Sequence, residues 1–179
     1  MNLEDLRRQI QLITPVDERE TTSIAMTFDR LNWPSSVFSE SENDHHVTSS
    51  AFIVSSRGVI LHRHRRLGIW VQPGGHVDEG ETPEEACVRE SKEETGLDAH
   101  HLSPVNLFHV DVHPGPKGHT HYDLRYVLVS LPVDPEPPEG ESPDVFWFDF
   151  DLAAERAEPG LAGAMRKLAE SVRSFGVTD

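Results

Sequence analysis

The chain has 179 residues and a formal net charge of −15 at neutral pH, which accommodates one well-cored domain plus an appendage. So acidic a molecule repels a phosphate backbone, which excludes a nucleic acid polymer as the expected substrate. A single cysteine, Cys87, allows no internal disulfide and fits a reducing cytoplasm, and neither a membrane-length apolar run nor a signal-peptide core is found.

Residues 1–46 read as an N-terminal helical extension and linker, and residues 47–179 as the main domain. Leu3, Leu6, Ile10 and Ile13 recur at helical spacing and predict an amphipathic helix that ends before Pro15. A second helix is predicted over residues 17–31, with Ile24, Phe28 and Leu31 as its apolar stripe and Trp33-Pro34 as its stop. These helices serve as packing elements, as a homodimer contact or as a substrate lid. The polar segment 39–46 reads as a linker, with His45 and His46 as plain surface-loop residues.

Residues 47–54 and 59–65 read as two strands about the turn Ser55-Ser56-Arg57-Gly58. The second puts His62 and His64 on one face and Arg63 and Arg65 on the other. A short strand over 69–72 runs into Pro73-Gly74-Gly75, where glycine permits close backbone approach.

The stretch that follows, GHVDEGETPEEACVRESKEETGL over residues 75–97, reads as a helix with marked ends. Thr82 is the expected N-cap, Pro83 the first helical residue, and Glu85 closes a Thr-x-x-Glu capping box. Gly96 is the expected left-handed terminator. Glu90, Glu93 and Glu94 share one face in the last turns, where the helix dipole favours cations. Each such conflict costs a few tenths of a kcal/mol, and Arg89 and Lys92 offset only part of it. One reading is a solvated acidic face. The other is a hard divalent cation held by the carboxylates, water and substrate phosphate. The strand, glycine turn and carboxylate-faced helix together form a pocket in which a backbone carbonyl can join the carboxylates, and this favours the cation.

These residues resemble the box of the Nudix hydrolases. Gly75, Glu81, Arg89, Glu90, Glu93, Glu94, Gly96 and Leu97 all stand at that pattern's spacing. Ser91 departs, standing where an aliphatic residue is usual; with Val88 it should face the sheet and forgo about 1–2 kcal/mol of burial. Cys87 lies inside this helix and reads as a structural thiol.

Residues 107–113 and 120–131 are strand candidates joined by PGPKG. His109, Asp111 and His113, then His119, His121 and Asp123, recur at period two and would converge on one face of a hairpin. Solvated strand ends, substrate recognition, a second metal site for Zn²⁺ or Mn²⁺, and a catalytic group are the competing readings. The acidic, proline-rich segment 134–143 is expected to be a loop. Residues 145–148 form a closing apolar strand, and Leu161, Ala164, Leu168 and Val172 mark a C-terminal helix.

The resemblance implies an α/β fold: a Nudix α/β/α sandwich with a mixed curved sheet, extended here by the N-terminal helices. It implies Mg²⁺, with Mn²⁺ as a substitute, held by Glu90, Glu94, Glu93 and the Gly74 carbonyl. Arg89 would pair with Glu81 and orient Glu90. The implied reaction is hydrolysis of a pyrophosphate linkage in a small nucleoside diphosphate-X substrate. A basic residue after the second strand, Arg63 or Arg65, would meet the phosphates, and His109, His113, His119 and His121 are candidate substrate contacts. Glu141, six residues before Trp147, corresponds to an active-site glutamate of antimutator-type members and would act as ligand or base; Glu139 is its rival. The alternative is a nucleotide-sensing module that binds without turnover, although the box glutamates are all kept. Cys87 is in the wrong place for the isomerase members, and the aromatic array of the NADH-cleaving members is not found.

Overall fold

The computed structural model describes residues 3–175. Two long strands form its centre. β1 (His45–Ser55) is buried along almost its whole length, and it runs parallel to β7 (Thr120–Ser130) with His46 opposite His121 and Val54 opposite Val129. Every other pairing between the strands is antiparallel, so the sheet is mixed. β2 (Gly58–Arg63) turns back from β1 at Ser55-Gly58 and is flanked by β8 (Val145–Phe148) and, at its far end, β3 (Trp70–Val71). β4 (Gly74–His76) takes the part of β1's edge that β2 leaves, with Thr48 opposite His76 and Ser50 opposite Gly74. β5 (Ala99–His101) and β6 (Leu107–Pro114) share the outer edge of β7.

The period-two alternation of β1 sorts its side chains to two cores. Val47, Ala51 and Ile53 pack with Leu124, Ala86 and Cys87 beneath α3 (Pro83–Thr95). Phe52 and Val54 pack with Leu161, Met165 and Leu168 beneath α5 (Ala162–Phe175). A sheet buried on both faces between helices is the expected sandwich. The short α4 (Phe150–Arg156), capped by Asp149, precedes α5 and has no counterpart in the sequence reading.

α1 (Leu3–Gln11) sends Leu6 and Ile10 into the α3-side core. α2 (Glu18–Arg30) keeps the expected apolar stripe, with Leu31 buried at its C-cap and Ile24 and Phe28 partly buried against the α3-side core. Its most buried residues within the helix, however, are polar: Glu20, Ser23, Thr27 and Arg30. Buried polar groups require partners, and each of these four side chains has at least one, Arg30 Nη1 alone among their atoms being left without. The Ser23 hydroxyl accepts from Val112 N on β6 at 3.0 Å, and Thr27 donates to Ser23 O. Arg30 donates to His45 O and Ser36 O. Helix α2 thus covers an exposed strand edge, and its inward face is polar because that edge is.

Two expectations are corrected. His45 and His46 are not surface-loop residues: β1 begins at His45, and His46 is fully buried beside β7. His109, Asp111 and Asp123 are buried in the sheet, which overturns the solvated-strand-end reading for them. The predicted hairpin does form, with His113 opposite His121 and Asp111 opposite Asp123. Ser91 faces inward as expected, and its hydroxyl is satisfied by donating to Cys87 O at 2.6 Å.

Candidate active site

Helix α3 presents the carboxylates, and its ends are held as the sequence requires. Thr82 Oγ1 accepts from Glu85 N, and the Glu85 carboxylate accepts from Thr82 N at 2.9 Å, completing the capping box. Gly96 closes the helix at φ 73°, in the left-handed region. Between them Arg89 works as a clamp. Its guanidinium forks onto both Glu81 oxygens at 3.0 and 2.9 Å, donates to His76 O at 2.9 Å, and reaches Glu90 at 2.8 Å and Glu93 at 3.2 Å. One side chain therefore joins the loop, strand β4 and the acidic face, a task suited to a planar five-donor group.

The glycine turn fits against this face. A side chain on Gly74 would strike Ser50, and one on Gly75 would meet the Glu90 carboxylate. Gly74 N donates to Glu94 Oε2 at 2.9 Å. Glu90 and Glu94 are sunk where water solvates them poorly, and burial raises both pKa values; that of Glu94 is pushed up to about 8. The charges of Glu90, Glu141 and Glu93 add to the effect on Glu94, which brings Glu141 into the same electrostatic neighbourhood although its chain segment is remote. Glu93 lies on the outer side with a half-exposed side chain, tied to Arg89. His62 points inward from β2, with Nε2 3.7 Å from Glu94 Oε2, and burial lowers its pKa to about 4. The sequence reading assigned His62 no role; the signal was its place opposite Arg63 and Arg65 on an alternating strand.

These are hard oxygen donors crowded together at a cost, and no cationic side chain faces Glu94 within bonding distance among the described residues. The donor set fits a hard divalent cation such as Mg²⁺.

The other singled-out residues divide into groups. Arg63 is exposed on β2's other side, donating to Gly68 O and lying 3.8 Å from Asp144. Arg65 donates to Gly140 O, next to Glu141. Glu139 and Glu141 lie in the loop before β8. His109 is buried in a network missed by the sequence reading: Asp111 binds Arg19 at 2.6 and 3.0 Å and Arg125 at 3.0 Å, and Arg125 also binds Asp123 at 2.8 Å. Asp123 accepts in turn from Ser50 and Gln72, so this chain runs from α2 to the link between β3 and the glycine turn. His113 donates to Asp111 at 3.0 Å, while His119 and His121 stand around His46.

Comparison with known proteins supplies a family and a range of relatives. The family model described as NUDIX domain matches residues 44–170. An 8-oxo-dGTP diphosphatase of Proteus vulgaris is 38% identical over 63 residues, 35% of this chain and 52% of that protein. The asymmetrical bis(5'-nucleosyl)-tetraphosphatase of Mus musculus is 46% identical over 39 residues, 22% of this chain and 26% of that protein. The chain spans about half the length, or less, of such curated relatives. Among solved structures, a NUDIX-family hydrolase from Clostridium perfringens superposes with a TM-score of 0.62 at 28% identity, covering 70% of this chain and 97% of that one.

Proposed function

The chain belongs to the Nudix family, and from that premise we propose that it hydrolyses a pyrophosphate linkage in a small nucleotide, a nucleoside diphosphate joined to a further group. The observation that carries this reading is the pair of partly buried carboxylates, Glu90 and Glu94, held against Gly74 and Gly75 with their pKa values raised. Groups kept so close at such electrostatic cost have a ligand to meet. Glu90, Glu94, Glu93, Glu141 and the Gly74 carbonyl would hold Mg²⁺, or Mn²⁺ in its place. Such an ion would neutralise phosphate charge and acidify a water.

The residues of the chain do the rest. Arg89 is a positioning residue: by fixing Glu81, Glu90 and the His76 carbonyl in one fork it holds the loop against the helix. Gly74 and Gly75 let β4 lie directly against Ser50 and the Glu90 carboxylate, where any side chain would collide. Glu141 is assigned as the acid that approaches from the far side, able to accept the water's proton. Arg65 is assigned to the substrate phosphates in preference to Arg63, on the support of its bond to the Gly140 carbonyl. His113 and His119 are assigned to the substrate side as well.

The relatives named above act, by their names, on molecules that carry a chain of phosphates on a nucleoside. The test is therefore a panel of nucleoside triphosphates, dinucleoside polyphosphates and nucleotide sugars with Mg²⁺ or Mn²⁺, read as release of phosphate, pyrophosphate or nucleotide. Metal-dependent turnover of one class above background supports the assignment. Tight binding of a nucleotide with no turnover of any would replace the enzyme by a sensor.

A further inference from the structure

Away from the carboxylates, on the other side of β4, three imidazoles converge. His46 on β1 and His121 on β7 are register partners, and His76 on β4 stands opposite Thr48, two residues along β1. Their ring centroids are 5.0 Å apart for His46 and His76, 5.0 Å for His46 and His121, and 5.5 Å for His76 and His121. Each offers a ligand nitrogen, and the three nitrogens all lie within 4.8 Å of one another. The Nε2 atoms of all three are buried and have no hydrogen-bond partner among the described residues. His46, whose side chain is fully buried, is the sharpest case: a buried ring nitrogen left unpaired costs about 1–3 kcal/mol unless something meets it.

The opposite edges of the rings are engaged. His46 Nδ1 donates to Asn43 O at 2.9 Å, and His76 Nδ1 lies 3.5 Å from Glu40 Oε2. A proton held on Nδ1 by an oxygen leaves Nε2 with its lone pair free, the arrangement that metal-binding histidines adopt. A tetrahedral centre with bonds of about 2.0–2.1 Å sets three imidazole centroids roughly 5 Å apart. The observed spacings agree.

We propose that His46, His76 and His121 form a second metal site, separate from the carboxylate site, that takes a borderline transition-metal cation of the Zn²⁺ class. Three imidazoles without a carboxylate ligand favour such an ion over Mg²⁺. Three protein ligands leave a fourth position for water or a substrate oxygen. The ion would join β4 to β1 and β7 immediately after Gly74 and Gly75, and so steady the turn against which Glu90 and Glu94 pack. Burial favours the neutral form of His46 and His121, as a ligand requires. Gly115 is part of the construction, since a side chain there would run into the His121 ring at Nε2.

The full chain, stripped with chelator, is titrated with Zn²⁺ in excess Mg²⁺ by calorimetry, with Co²⁺ absorption as a second readout. The expected result is one Zn²⁺ per chain, and with Co²⁺ the visible bands of a four-coordinate site. Affinity should fall at least tenfold in His46→Asn, His76→Asn and His121→Asn, and also in Gly115→Ala, which keeps all three ligands. The Glu90→Gln/Glu94→Gln double variant should bind Zn²⁺ as the parent does. Should buried His46 prove indispensable for folding, His76→Asn and Gly115→Ala still decide the matter. No Zn²⁺ uptake in excess Mg²⁺, uptake unchanged in those two variants, or uptake lost with the carboxylates would each overturn the site.

Discussion

Glu94 shows how much one side chain can be asked to bear. It sits under β2 with Gly74 N as its hydrogen-bond donor, and its pKa is pushed up to about 8 by burial and by the neighbouring acids. Replacing it, or Glu90, by glutamine keeps the shape and most of the hydrogen bonding but deletes a charge that only a cation makes useful. Turnover by Glu90→Gln or Glu94→Gln should fall by at least about a hundredfold, or roughly 2.7 kcal/mol of barrier. The unfolding midpoint in chelator should stay at or above that of the parent, because a desolvated acid has been removed. A variant that kept parental metal-dependent rates would refute the ligand assignment. Glu141 is judged against Glu139 in the same way. Glu141→Gln should lose most of the rate and Glu139→Gln little, and equal rates for Glu141→Gln and the parent at every Mg²⁺ concentration would remove it from the site. The box residues were legible because they depend on spacing within one helix and one turn. His62, His46 and His76 were not, because each acquires its neighbours only through strand register: His46 meets His121 across 75 residues of chain.

At the scale of the element, sequence periodicity located α1, α2, α3 and α5 but gave only the apolar part of what α2 buries. An apolar stripe predicts a buried face only when the surface beneath is apolar. Here α2 also lies along the edge of β6 and above an Asp–Arg network, so Glu20 and Ser23 turn inward as well, while Ile24 and Phe28 are only partly buried against the α3-side core. Nothing local in residues 17–31 announces that, since the partners are Val112, Lys167 and Asp111. Glu20 is the test. It is fully buried, accepts from Val16 N at 2.7 Å and from Lys167 Nζ at 3.0 Å, and so ties α2 to α5. Breaking a buried pair from one side strands the other charge, which costs about 3–5 kcal/mol. Glu20→Leu should therefore lower unfolding free energy in urea by about 3 kcal/mol. Adding Lys167→Met should recover a large part of that loss. If the double variant is no better than the single one, the pair is not what holds α2 in place.

At the scale of the molecule, acidity and burial pull stability in opposite directions as pH falls. The net charge of −15 is a surface property: protonating exposed acids relieves self-repulsion, but at physiological salt that repulsion is screened over about 8 Å. Buried His109 is not screened. It faces Arg125 on β7, Lys167 on α5, Asp111 on its own strand, and Arg19 and Glu20 on α2. Burial first, and the cations Arg125 and Lys167 after it, lower its pKa to about 2. An unfolded histidine titrates near 6.5, so between those values the unfolded chain binds a proton that the folded chain refuses. Stability must therefore drop as pH falls below about 6.5, at up to about 1.4 kcal/mol per pH unit for this one residue. The Asp111 carboxylate, held well below its usual range by His113, Arg19 and Arg125, adds a second loss in the same direction below about pH 4. Urea unfolding at pH 7, 5.5 and 4.5 in constant moderate salt measures the sum. The parent should lose at least about 2 kcal/mol between pH 7 and 4.5. His109→Gln removes the proton site while keeping a polar side chain of similar reach, and whatever it costs at pH 7, its loss on acidification should be shallower by close to one proton over the window from about 6 to 4.5. Parallel curves for parent and variant would mean that His109 is protonated in the folded state after all, and that the buried Asp–Arg network has made room for its charge.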